Sequence, residues 1–79
     1  MKDYPKDKIL EVTWVDIVQD PNWLDEKNID NETCPLCKTV GYFYKLTKDF
    51  FYLSSTISGS QRDITIIPTG CIKKIRSLR

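Results

Sequence analysis

Apolar residues recur at every second position in short runs, and residues that favour turns cut off each run. Leu10, Val12 and Trp14 alternate with Glu11 and Thr13 in Ile9–Val18, and Val40, Tyr42, Tyr44 and Leu46 share one face of Val40–Thr47. Phe51, Leu53 and Ile57 alternate with hydroxyl-bearing residues in Phe50–Ser58. A spacing of two sends neighbouring side chains to opposite faces of an extended backbone, so these runs predict half-buried strands. Lys48-Asp49 and Gly59-Ser60-Gln61-Arg62 suit tight turns, Ile64–Ile67 reads as another strand, and Pro68-Thr69-Gly70 breaks it. In Cys71–Leu78 the apolar residues Ile72, Ile75 and Leu78 fall at every third position. That spacing also fits a short helix, but a bent strand after a one-turn break agrees better with the way small barrels end.

Between the first two runs, Asp20-Pro21-Asn22-Trp23-Leu24 reads as a helix start. Asp20 is suited to cap free backbone N–H groups, and Pro21 fits the first turn, where a missing donor costs nothing. Asn28–Thr33 and Pro35 stop that helix early. Five strands joined by tight hairpins in 79 residues predict a mainly β domain over residues 1–79, an antiparallel sheet closed into a barrel with one short helix after the first strand. So small a domain buries only roughly 60% of its unfolded surface, which favours oligomerisation.

Composition narrows the classes. A hydrophobic share of 41% beside 29% charged residues fits a globular chain and not a disordered one. No apolar run approaches the ~20 residues of a membrane span, and Met1–Lys8 has no signal-peptide core, which predicts a cytoplasmic protein. Residues 1–39 carry five Lys and nine Asp or Glu, net −4, whereas residues 40–79 carry seven Lys or Arg and two Asp, net +5. This polarity suits head-to-tail association of identical subunits, or a basic face that meets an anion. Three cysteines, Cys34, Cys37 and Cys71, cannot all pair within one chain, which favours reduced thiols.

Two resemblances follow from longer patterns. The order short helix, strand, strand, strand, one-turn break, strand resembles SH3-like and in particular Sm-like barrels, in which the helix usually precedes the first strand, whereas here it follows it. Ile66-Ile67-Pro68-Thr69-Gly70-Cys71-Ile72 is similar to the Sm second motif, with a Gly between the last two strands. It departs in having Thr69 where that family has a basic residue, in an aliphatic residue one position early, and in lacking the base-stacking Asn-Gly pair. The second pattern is Val12-x-Trp14-x-Asp16, Trp23, Cys37-x-x-Val40-Gly41 and Ile67-Pro68-x-Gly70-x-Ile72-x-x-Ile75. It resembles a group of small uncharacterised phage and prophage proteins. That resemblance implies an accessory role in the host cytoplasm and supplies no chemistry.

Several side chains are candidates for recognition. Ser54, Ser55, Thr56 and Ser58, with Gly59 and Arg62, form a hydroxyl-rich strand end suited to a phosphate or another anion; a polar strand end feeding a hairpin is the plain alternative. Trp14 belongs in the core, and Trp23, on the short helix, either covers the open end of the barrel or stacks on a nucleobase. Asp16 either binds a ligand amine or sugar hydroxyl, or caps the following turn. Lys73, Lys74 and Arg76 suit a nucleic-acid backbone, as RNA, or a solvated strand face. Cys34-Pro35-Leu36-Cys37 reads as two small residues in a loop near the core; as a metal knuckle it is incomplete, because zinc wants four ligands and only Cys71 is left to join the pair. With no His, no nucleophile elbow and no phosphate loop, the chain reads as a non-enzyme without a cofactor. The expectation is a homo-oligomeric binding protein that sequesters a small nucleotide-type anion, with countering host defence as the role the phage resemblance suggests. RNA binding and inhibition of a host enzyme are the alternatives.

Overall fold

A computed structural model describes residues 2–19 and 22–78. In chain order the elements are β1 (Ile9–Val15), α1 (Glu26–Ile29), β2 (Leu36–Leu46), β3 (Phe50–Ser54), β4 (Ile57–Ser58), β5 (Gln61–Arg62), β6 (Thr65–Pro68), a 3-10 turn (Thr69–Cys71) and β7 (Ile72–Ser77). Five strands form one antiparallel sheet in the order β6-β3-β2-β1-β7, and β4 with β5 makes a separate hairpin. The fold is mainly β, and the last segment is a strand.

β1 is a central strand. It pairs with β2 from Ile9 opposite Tyr42 to Val15 opposite Leu36, and with β7 from Leu10 opposite Ser77 to Trp14 opposite Ile72. Leu10 and Val12 therefore point to one side, where Phe43, Phe51, Leu53 and Ile67 join them in the buried core. Phe43 meets Phe51 edge-on, with ring centroids 5.3 Å apart, and Tyr4 meets Phe43 in the same way at 5.8 Å. Such edge-to-face pairs suit the ring quadrupole. Trp14 lies against this core, and its indole N–H donates to Thr39 Oγ1 at 3.0 Å.

The two edges of the sheet are joined by three residues. Strands β6 and β7 lie four strand spacings apart, about 19 Å in a flat sheet. The link from Pro68 to Ile72 reaches at most about 14 Å. The sheet therefore curls around its core. Closure into a barrel is not found, because no ladder joins β6 to β7 among the described residues. The turn residues occupy that seam: Thr69 N–H donates to Asp49 C=O, and its hydroxyl donates to Lys48 C=O.

Three expectations are corrected. β2 starts at Leu36, so Cys37 sits on a strand and not in a loop. Its buried positions are Gly41 and Phe43, while Val40, Tyr42 and Tyr44 face outward. A shift in register between Phe43 and Lys45 moves Leu46 to the core side, so the four residues do not share a face. The expected helix start at Asp20-Pro21 lies outside the described residues; the described helix begins at Glu26, with Asp25 before it. Trp23 is thus not helical. It is fully exposed at 102% and covers nothing, because α1 buries no residue. Residues 16–19 and 22–35 belong to an arm that leaves the sheet where β1 ends. The molecule is 51 Å long, with a radius of gyration of 15.7 Å against about 12 Å for a compact chain of this size. No helix of the described residues is long and apolar enough to cross a membrane.

Candidate functional site

The expected ligand residues divide between two ends of the molecule. Asp16 and Trp23 lie on the arm, past the end of β1. Ser54, Ser55, Thr56 and Arg62 lie near the start of β1, about 20 Å away along the strand. Asp16 acts locally: its carboxylate accepts the backbone N–H of Ile17 at 2.8 Å. Lys73 and Lys74 are exposed on β7, and Arg76 pairs with Glu11 at 3.3 Å across to β1.

At the Ser54–Arg62 end, the hairpin builds two anion-related features. The β4–β5 turn is Gly59-Ser60, with φ +58° at Gly59, as a type II′ hairpin requires at its first position. That turn sets Arg62 and Asp63 on opposite tasks. The Asp63 carboxylate accepts the backbone N–H groups of Ser55 and Thr56 through Oδ1, each at 2.8 Å, and the Ser55 hydroxyl through Oδ2. The hydroxyl-rich strand end is therefore already complemented by an internal anion. The Ser55 hydroxyl, then the Thr56 N–H, hold Asp63 below the usual carboxylate range.

This has a pH consequence. A carboxyl whose folded pKa is depressed stabilises the fold fully above its unfolded value, and loses that contribution as pH falls through the folded value. The Asp63 clasp is expected to hold at neutral pH and to open only in acid, as pH falls through its lowered folded value. An NMR titration of the Asp63 carboxyl carbon checks this: Ser55→Ala should raise its midpoint, and an unmoved midpoint would show that the clasp is not formed.

Arg62 faces the other way. Its Nη1 donates to Asp7 Oδ1 at 2.9 Å and to Ser54 Oγ at 3.4 Å, and its guanidinium carbon lies 4.9 Å from the Tyr44 ring centre. Lys6 Nζ lies 5.5 Å from the same ring. Asp7 holds its position with φ 66°, a left-handed conformation that Asp tolerates better than most residues. Its N–H donates to Phe43 C=O at 2.7 Å. Lys6, Tyr44, Gly59, Ser60, Arg62 and Ile64 line an open cleft of about 360 Å³. Among the described residues, the Arg62 Nε and Nη2 donors have no protein acceptor, so the fork keeps capacity for an oxyanion.

The cleft continues onto the outer face of the sheet. Strand register aligns Ile66, Tyr52 and Lys45 in one row, and Ser54, Tyr42 and Ile9 in the next. Further rows hold Val40, Glu11 and Arg76, then Lys38, Thr13 and Lys74. Lys45 Nζ stands 4.7 Å from the Tyr52 ring centre. Lys6, Asp7, Tyr44 and Asp63 were not among the residues expected from the sequence. Only the register of the hairpin and the bulge at Tyr44 bring them to this end, and no local motif signals that.

Cys34 is exposed, Cys37 and Cys71 are half-buried, and all three are free thiols. Among the described residues, no group of three or more His, Cys, Asp or Glu side chains is placed to hold a metal ion. Cys37 and Cys71 are kept apart by β1, since Trp14 lies between Cys37 and Ile72 in the sheet. Comparison with protein-family models, curated proteins and solved structures gives no match to this chain.

Proposed function

We propose that this chain is a non-enzymatic binding protein for a nucleotide-type anion, held in the cleft of Lys6, Tyr44, Ser60 and Arg62. The observation that carries the reading is the Tyr44 ring with Lys6 and Arg62 both within cation–π distance, beside unused Arg62 donors. An ammonium, a guanidinium fork and a hydroxyl suit phosphate oxygens, and the neighbouring tyrosines offer faces to a base. The ligand set differs from the one the sequence favoured: Arg62 stays, Ser54 is buried beneath it, Asp63 occupies Ser55 and Thr56, and Asp16 and Trp23 lie at the other end. A role in the host cytoplasm, removing a nucleotide signal of defence, rests on the phage resemblance alone. The curled sheet, its strand order and the 3-10 turn before its last strand support an Sm-like or SH3-like ancestry for the scaffold.

A second reading is single-stranded RNA laid across the outer face. Tyr42 and Tyr52 with Lys38, Lys45 and Lys74 in adjacent rows favour it, because stacking surfaces alternating with cations suit a strand of any sequence. Calorimetric titration with nucleoside mono- and triphosphates, and with a short oligouridylate, separates the two. The cleft reading expects mononucleotide binding that Arg62→Ala weakens roughly ten- to a hundredfold, from the loss of about 1.5–3 kcal/mol in charged hydrogen bonds. The RNA reading expects oligouridylate affinity that falls steeply with salt and also falls on Lys73→Glu with Lys74→Glu. Absence of heat with every nucleotide up to about 1 mM would remove the proposal.

A further inference from the structure

We infer that the arm, through Trp23 and its described neighbours in 22–35, docks on a second copy of this chain, in the groove between its N-terminal segment and β7. The arm presents apolar side chains with no cover: Ile17 is 84% exposed and Trp23 completely so, with Val18 and Ile29 also open. A solvated connection gains nothing from such residues, and exposed apolar side chains gathered on one segment of a small domain suit an interaction surface. Around them the sequence 16–35 holds six acidic residues and one lysine, net −5.

The groove is its complement. Tyr4, Ile72 and Ile75 supply an apolar floor, and Lys2, Lys73 and Lys74 supply a cationic rim around about 420 Å³. Lys2 Nζ already stands 5.7 Å from the Tyr4 ring, so the groove seats an ammonium over an aromatic face. Trp23 entering it buries its indole on the isoleucines while lysines meet the ring face, and Asp25 and Glu26 reach the remaining ammonium groups.

Two features point to another copy as the occupant. The chain's own arm leaves beside the groove, since Trp14 pairs with Ile72, yet Trp23 is fully exposed and none of the described arm residues lines the groove. Edge-to-edge pairing of β7 with another β7 sets Lys73, Lys74 and Arg76 against their like, which disfavours that contact. An acidic arm on a basic groove gives instead a heterologous, head-to-tail contact.

Charge reversal tests it. Sedimentation velocity should show concentration-dependent association of the full chain. Asp25→Lys with Glu26→Lys, and separately Lys73→Glu with Lys74→Glu, should each weaken association at least about tenfold. An equimolar mixture of the two variants should restore it, because each then offers the surface the other lacks; this also shows that both are folded. The nucleotide reading is independent, and Arg62→Ala should leave association unchanged. A full chain that stays monomeric at about 0.5 mM, or a mixture that stays dissociated, would overturn the inference.

Discussion

Phe51→Ala is expected to remove most of the stability of this fold. Phe51 is fully buried, lies opposite Ile67 on the edge strand, and meets Phe43 edge-on. Truncating a buried Phe costs about 3–5 kcal/mol, from lost transfer energy and the cavity left behind. A domain of this length holds roughly 4–12 kcal/mol in all. Among the described residues the buried core is six apolar side chains, and the β4–β5 hairpin adds none to close over a hole. Urea unfolding should show the midpoint falling by a third or more, with Phe51→Leu retaining much of it. A loss under about 1 kcal/mol would mean that Phe51 is not at the centre of the core.

Gly41→Ala should rank next, although it adds only one carbon. A Cβ at this position falls 2.7 Å from the Ser54 backbone carbonyl oxygen and 3.3 Å from the Leu53 Cβ. The first contact is with backbone and cannot be relieved by a rotamer change, so β3 must move away from β2. Overpacking of this kind costs about 1–3 kcal/mol. Because Ser54 receives Arg62, the same shift should disturb the cleft as well. Gly70→Ala is the control, since nothing lies within 4 Å of its Cβ position. Equal stability of the two variants would sink the close-approach argument.

The strands were legible because alternation and turn residues are local. Leu10, Val12, Phe51, Leu53 and Ile67 all lie in the core, on runs read as strands. The faces of β2 were not legible. A glycine and one phenylalanine point inward while two tyrosines point outward, which inverts the hydropathy of the run. The bulge then switches the side that Leu46 takes. The knuckle Cys34-Pro35-Leu36-Cys37 hid the start of β2, since a proline between two thiols reads as a loop. At the candidate site, Arg62 was visible from its hydroxyl-rich neighbours. Asp63 was not, because its clasp on Ser55 depends on a hairpin folding the chain back by eight residues. Lys6 and Asp7 carry no local signal, and only the pairing of β1 with β2 brings them beside Tyr44.

The central position of β1 bears on how the chain acquires its shape. One neighbour, β2, begins twenty-one residues after β1 ends; the other, β7, is drawn from the far end of the domain, with Glu11 opposite Arg76. Such distant pairing slows folding, since ring-closure entropy is spent before any contact rewards it. During synthesis, the first strand therefore waits with one flank bare until nearly the whole domain has left the ribosome. That interval is when a chain of this topology is most open to misassembly.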